Sequence, residues 1–221
     1  MMGMKEGFFL ERNSRITSGL NPLELPGHWK YLTFLCEGPN DSILLRRISL
    51  FLDPMVLRIR IRPQEGIDSL ILSLERHLEK YLPRGPVIAI YDQDDLKAGY
   101  LEKLEVLSRN NPWFICSPVV EKIEAWLMAD LEALKGATGL EYNGPLPTDR
   151  IEDPKRFFLH FFRVSVRQKK RGYLTKERDF FRAVARRWDH DRARQNNRSL
   201  DGFLCLLEER LSFAVRKEEP A

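Results

Sequence analysis

Between residues 31 and 134, short apolar runs alternate with amphipathic segments, and this restricts the chain to a narrow set of folds. Four runs have the length and composition of strands, at residues 30–38, 56–62, 86–92 and 113–117. Segments with apolar residues at helical spacing follow them, at residues 40–52, 66–82, 96–109 and 119–134. Strands that alternate with helices form parallel sheets through right-handed crossovers. The sequence therefore predicts an α/β core with a mostly parallel four-stranded sheet and helices on both faces.

The second run differs from the others because its residues alternate strictly. Arg58, Arg60 and Arg62 face one way, and the apolar residues between them face the other. This pattern predicts a half-exposed strand at the edge of the sheet. Its arginines would add to any positive surface nearby.

Four regions are predicted along the chain. Residues 1–30 form a loosely ordered extension, 31–136 the α/β core, 137–153 a turn-rich linker and 154–221 a helical C-terminal region. Helices in the last region are expected to begin at Pro154, capped by Asp153, and after Ser199 as a cap. Asn40 or Asp41 is expected to cap the first helix of the core.

Positive charge is concentrated in that C-terminal region. Residues 155–198 carry 15 lysines and arginines against 4 acidic residues, a net charge of +11, while the rest carries 21 basic and 28 acidic residues, a net charge of −7. A basic annex of this density suits a phosphate backbone, although a solvated helical face has the same composition. The candidate nucleic-acid-binding residues are Lys169, Lys170, Arg171, Tyr173, Lys176, Arg186 and Arg187.

Acidic residues come directly after two of the predicted strands. Glu37 follows the first strand, and Asp92, Asp94 and Asp95 follow the third. The carboxyl ends of parallel strands meet at one edge of a sheet, where ligands bind. Clustered carboxylates repel one another unless a cation neutralises them, and hard oxygen ligands suit Mg²⁺ or Mn²⁺. The alternative is that the aspartates only cap the next helix.

The same acids carry a resemblance to a known family. The runs FLCEGPND (34–41) and IYDQDD (90–95) resemble the TOPRIM domain, in which a glutamate follows the first strand and Asp-x-Asp the third. The segment VEKIEAWLMAD (120–130) is similar to the E-x-W-L-x-A-D stretch of a small stand-alone bacterial TOPRIM-like family of unknown function, related to OLD-type nucleases. The resemblance covers about residues 31–215 and implies a TOPRIM-like, Rossmann-like core with a basic helical tail.

The resemblance also implies roles for individual residues. Asp92 and Asp94 would hold Mg²⁺ or Mn²⁺, and Glu37 would bind the metal or act as a general acid or base. Glu124 would contribute to a second metal site. Glu121 and Asp95 are further candidate ligands. Where the family often has a carboxylate two residues before Glu124, this chain has Lys122, which puts a second metal in doubt.

Two other residues of the resembling segment have simpler explanations. Trp126 lies on the apolar stripe of its predicted helix and is expected in the core, and Asp130 is expected to contact the following loop.

The function implied is a Mg²⁺-dependent nuclease that acts on the phosphodiesters of DNA or RNA, in phage defence or mobile-element biology and beside an ATPase partner. The alternative is a non-catalytic TOPRIM-like partner of an ATPase complex. Scattered cysteines and the absence of an apolar run near 18 residues predict a cytoplasmic protein with no membrane contact.

Overall fold

The computed structural model describes residues 29–50, 52, 58–93, 96–120, 122–169 and 176–211. At residues 98, 167–169, 210 and 211 it describes the backbone alone. Of the predicted N-terminal extension, only Trp29 and Lys30 fall within these ranges.

The sheet has four parallel strands. They are β1 (Tyr31–Cys36), β2 (Arg58–Pro63), β3 (Val87–Asp92) and β4 (Phe114–Val119). Their order is β2-β1-β3-β4, and each neighbouring pair is parallel. The predicted α/β architecture with a parallel four-stranded sheet is therefore confirmed, and β2 is an edge strand as its alternation predicted.

Helices connect and follow the strands. They are α1 (Pro39–Ser49), α2 (Ile67–Tyr81), α3 (Ala98–Asn110), α4 (Ile123–Met128), α5 (Leu131–Thr138), α6 (Pro154–Lys169), α7 (Glu177–Ala185), α8 (His190–Arg194) and α9 (Arg198–Leu211). Short 3₁₀ turns lie at Leu82–Arg84 and Thr148–Arg150. Within the described part of the chain, no helix is long and apolar enough to cross a membrane.

Two hydrophobic clusters cover the two faces of the sheet. Helices α2 and α3 pack on one face, against side chains such as Leu35 and Ala89. Helix α1 packs on the other face together with the C-terminal helices, whose Phe158, Phe180 and Phe203 are almost fully buried. The C-terminal helices therefore share a hydrophobic core with the sheet, while the predicted boundaries at 136 and 153 stay predictions.

The predicted helix over 119–134 is wrong as a single element. Residue 119 ends β4, and two helices, α4 and α5, follow with a break at Asp130. The break forms because Asp130 is the N-cap of α5, and its carboxylate accepts a hydrogen bond from the Ala133 N–H at 3.0 Å. Helix α5 also runs through Gly136 and ends at Thr138, with Gly139 as its C-cap, where the φ of 75° favours glycine.

The cap predictions were partly right. Asp153 accepts from the Arg156 N–H at 2.9 Å, as expected. Asn197 caps α9 instead of Ser199, because its Oδ1 accepts from the Leu200 N–H at 2.8 Å. The N-cap of α1 is Gly38, not Asn40 or Asp41.

Phe203→Ala should destabilise the whole protein, because Phe203 joins α9 to the sheet. Its ring lies 5.1 Å from the Trp126 ring and 6.5 Å from the Phe34 ring on β1. We expect a loss of about 3–5 kcal/mol in a single urea-unfolding transition. Leu72→Ala, at a side chain that is 75 % exposed, is the control and should change stability by less than about 0.5 kcal/mol. Two separate transitions would contradict a shared core.

Candidate metal centre

The carboxyl edge of the sheet has a topological switch point between β1 and β3. The chain leaves β1 toward β2, then crosses back over β1 to β3 on the other side. At such a point the connections diverge and leave a crevice for a ligand. Glu37 directly follows β1 and Asp92 is the last residue of β3, so both lie at this switch point.

A hydrogen bond joins the two predicted acids. The backbone N–H of Asp92 donates to Glu37 Oε1 at 2.7 Å. This contact fixes the direction of the Glu37 carboxylate across the switch point. The expectation that Glu37 and Asp92 share one end of the sheet is met.

Asp41 brings a third carboxylate to the same edge. It lies in the first turn of α1, and its Oδ2 accepts from the Gly38 N–H at 2.9 Å. Burial raises its pKa, although backbone hydrogen bonds and the charge of Lys155 act in the opposite direction. The sequence marked Asp41 only as a candidate cap, because its proximity to Asp92 depends on how α1 leaves the sheet.

Glu124 is the fourth carboxylate and the most deeply placed. It lies in the first turn of α4 and is only 5 % exposed. Burial is the main cause that raises its pKa, and the negative charges of Asp41 and Glu177 act in the same direction, while Lys155 lowers it. A glutamate kept this far from water is costly unless a proton or a cation neutralises it.

Asp92 is the residue on which these charges converge. Burial, followed by the charges of Glu37 and Asp41, raises its pKa to about 8, and Glu124 adds a smaller contribution. Lys122 opposes this shift, with its Nζ 3.6 Å from Asp92 Oδ2. The edge therefore has an excess of negative charge over its local cations.

The carboxylates at this edge are suitable ligands for a hard cation, but they do not form a complete coordination shell made of protein atoms alone. Among the described residues, no three His, Cys, Asp or Glu side chains are grouped closely enough to hold a metal ion. Magnesium is usually bound by one or two carboxylates plus water and substrate phosphates, so an open carboxylate edge suits it. The predicted ligands Asp94, Asp95 and Glu121 lie outside the described residues.

The two weaker positions of the resembling segment are explained by packing. Trp126 is fully buried, as predicted, and its Nε1 donates to Ser199 Oγ at 2.7 Å. Asp130 is also fully buried, and its carboxylate pairs with Arg192 at 2.8 Å. Asp130 is therefore an anchor between α5 and the loop before α8, away from any ligand role.

The predicted basic residues are only partly covered. Lys176 precedes α7 and is exposed, and Arg186 and Arg187 are exposed at its other end. Lys169 is described by its backbone alone, and Lys170, Arg171 and Tyr173 lie outside the described residues. Sequence reasoning did not single out Lys155, whose charge reaches both Asp41 and Glu124.

Asp92→Asn should make the metal-free protein more stable at alkaline pH. The pKa of Asp92, about 8, lies above its ordinary value of 3.8, so the folded state holds a proton that the unfolded state releases. The free energy of unfolding then falls as the pH rises between these two values, and asparagine removes that fall. In EDTA, urea unfolding should show the variant more stable than wild type at pH 8, with the difference shrinking toward pH 4.

The control for that comparison is Glu132→Gln, at an exposed residue in the first turn of α5. It should show no such pH-dependent stabilisation. If Asp92→Asn were less stable than wild type by the same free energy of unfolding at pH 5 and at pH 8, the excess of negative charge at this edge would be contradicted.

Comparison of the chain with protein-family models, with curated proteins and with solved structures found no match in any of the three.

Proposed function

We propose that this chain is a Mg²⁺- or Mn²⁺-dependent nuclease with a TOPRIM-like core, which hydrolyses phosphodiesters of DNA or RNA in the cytoplasm. The observation that carries the proposal is the hydrogen-bonded pair of Glu37 and Asp92 at the switch point of a parallel sheet. Asp41 and Glu124 lie near enough to raise the pKa of Asp92. Such an excess of oxygen donors and negative charge suits a divalent cation that also binds phosphate.

The residues at this edge divide the work between them. Asp92 would hold the cation, together with Asp94 beyond the described residues. When bound, Mg²⁺ supplies charge stabilisation to the attacked phosphodiester and lowers the pKa of water. Glu37, oriented by the Asp92 N–H, would bind the cation or accept the proton of the attacking water. The resemblance assigns Glu124 to a second metal position, and the lysine at position 122 argues against that second metal.

Lys122 adds a fixed positive charge where the resembling family often has a carboxylate. Its Nζ lies 3.6 Å from Asp92 Oδ2, inside the same cluster. An ammonium group placed there offsets negative charge on a phosphate that approaches the carboxylates. This favours one cation plus a lysine over two cations.

Support for an ATPase partner, and for work in phage defence or on mobile elements, comes from the resemblance alone. A non-catalytic partner of an ATPase complex would have the same fold. A cleavage experiment separates the two.

The test is a cleavage panel over supercoiled plasmid, linear duplex, single-stranded DNA and RNA, each with Mg²⁺, Mn²⁺ or EDTA. We expect metal-dependent cleavage of at least one substrate, absent in EDTA and in the Glu37→Gln variant. Glu132→Gln is the control, because it removes one exposed carboxylate that does not belong to the group of Glu37, Asp41, Asp92 and Glu124. If wild type cleaves none of the substrates, with or without an ATPase partner, the nuclease proposal is overturned. The non-catalytic partner of an ATPase complex then becomes the better explanation.

A further inference from the structure

A positive surface lies on the sheet face opposite the C-terminal helices, and it differs from the basic region predicted from sequence. Its members come from edge strand β2 and from helix α2. We call it the edge surface; it comprises Arg58, Arg60, Arg62, Arg76 and Lys80. Four of the five are exposed, and Arg60 is half-buried.

These cations have no acidic partner among the described residues. The ion pairs of the described chain include none of the five. On its other side, α2 pairs two of its acids, since Asp68 contacts Lys97 at 2.8 Å and Glu75 contacts Lys103 at 3.1 Å. Helix α2 thus pairs Asp68 and Glu75 with lysines of α3, while Arg76, which shares a surface pocket with Glu65 and Asp68, and Lys80 are in none of these ion pairs.

Arg60 is held in place by aromatic rings. Its guanidinium lies 3.9 Å from the centroid of the Tyr31 ring and 5.3 Å from that of Tyr81. Its Nη1 is buried without a hydrogen-bond partner. The stacking fixes the middle of the arginine row at a cost in unsatisfied hydrogen bonding.

The pKa of His77 is affected by the positive charge of this surface. It lies on α2, donates from Nε2 to Gln64 Oε1 at 3.1 Å, and stacks on Tyr81. Burial, and then the charges of Arg76, Lys80 and Arg62, lower the pKa of His77 below its usual range. A polyanion on this surface would reverse the electrostatic part of that shift.

Protection of the edge strand explains only part of this arrangement. Charged side chains on an edge strand prevent pairing with another chain, and the arginines of β2 serve that end. Arg76 and Lys80, however, are on a helix and repel each other at i and i+4. Edge protection does not require cations from α2, so their presence beside the row needs another reason.

The geometry of the row suits a linear polyanion. Alternate residues of a strand lie about 6.6 Å apart on one face, so Arg58 to Arg62 spans about 13 Å. Arg62 pairs in register with Leu35, two residues before Glu37, and the Gln64 N–H donates to Cys36 O at 2.8 Å. The row therefore leads to the carboxyl edge where the candidate metal centre lies.

We infer that the edge surface binds the phosphate backbone of a nucleic acid and leads it to the carboxylates at the end of β1. This rests on the proposed function for the identity of the polymer. The contacts are to phosphates, so binding does not depend on base sequence. A row that is linear and rich in arginine favours a nucleic acid over a flat anionic membrane.

The test is binding of fluorescent single-stranded and duplex oligonucleotides in EDTA, followed by anisotropy at several salt concentrations. The variant is Arg58→Ala with Arg62→Ala, at two exposed side chains whose removal should leave the fold intact. We expect binding roughly tenfold weaker for every sequence, and a salt dependence lower by about 0.7–0.9 for each phosphate that the variant no longer neutralises. The pKa of His77, followed by NMR, should rise when wild type binds the oligonucleotide.

The matched control is Lys103→Ala with Arg109→Ala, which removes the same charge from cations already paired on α3. Equal binding by the two double variants would overturn the inference. Binding to phosphatidylserine vesicles is measured for the same variants. If Arg58→Ala with Arg62→Ala weakened vesicle binding and left oligonucleotide binding unchanged, the inference would also be overturned. EDTA prevents metal-dependent cleavage, so the binding assay tests the edge surface separately from the nuclease. Binding by wild type without cleavage of any substrate in the panel would overturn the nuclease proposal alone. Cleavage by the Arg58/Arg62 variant at the wild-type rate would overturn the role of the edge surface alone.

Discussion

Glu37→Gln should lower metal-dependent cleavage more than about 100-fold while leaving the fold unchanged. Loss of groups that only orient metal ligands costs about 10–100-fold, so loss of a ligand or proton acceptor itself should cost more. Glutamine keeps the shape of glutamate and an oxygen that accepts from the Asp92 N–H. The variant therefore removes charge and proton acceptance without removing the hydrogen bond between the ends of β1 and β3.

Single-turnover cleavage with saturating Mg²⁺ measures the effect, and thermal unfolding of the same samples shows whether the fold is retained. Glu37→Asp is the informative companion, since it keeps the charge but shortens the side chain by one methylene. We expect a loss there as well, because the carboxylate no longer reaches the same position. Cleavage by Glu37→Gln at the rate of the Glu132→Gln control would show that Glu37 has no part in the reaction.

The same site should show opposite effects on activity and stability. Mutual repulsion of Glu37, Asp41, Asp92 and Glu124 costs folding energy in the absence of a cation. Variants that neutralise one of them should stabilise the metal-free protein and lose activity, which is the usual trade at functional sites. A merely structural cluster would not combine these outcomes.

The sheet could be predicted because its signal is local and strong. Buried parallel strands are continuous apolar runs, and the edge strand alternates, so both can be distinguished in the sequence. The order β2-β1-β3-β4 was not predicted, since strand order depends on the crossovers. The edge position of β2 followed from Arg58, Arg60 and Arg62 alone.

Only those residues of the candidate site that lie at the ends of strands could be predicted from the sequence. Glu37 and Asp92 are brought together by the parallel sheet itself, so their positions after two strands are sufficient. Asp41 and Lys155 reach the same edge through the paths of α1 and α6, which no local pattern fixes. The break between α4 and α5 was missed although its signal is local, because Asp130 caps α5 by accepting from the Ala133 N–H only three residues later.

Asp130→Ala should be among the most destabilising single changes in the described chain. Its carboxylate accepts from the backbone N–H groups of Ala133 at 3.0 Å and Asp189 at 2.7 Å, and from the Arg192 guanidinium at 2.8 and 3.1 Å. Asp130 is fully buried, so alanine removes the side-chain acceptor of both backbone N–H groups and one acceptor of the Arg192 guanidinium, which also donates to Arg187 O at 3.1 Å. We expect a loss of about 2–4 kcal/mol in the free energy of unfolding, chiefly from the two backbone N–H groups, measured by urea denaturation.

The control is Glu141→Ala, which breaks an exposed pair with Lys135 and should cost less than about 1 kcal/mol. The comparison also separates two roles for Asp130, whose position in the resembling segment lies six residues after Glu124. A metal ligand replaced by asparagine would lose cleavage at unchanged stability. If Asp130 is instead a structural anchor for the break after α4, Asp130→Asn should lower the free energy of unfolding. The fraction of the variant that is folded should then cleave at the wild-type rate. The four hydrogen bonds of the carboxylate, all within the protein, support the anchor.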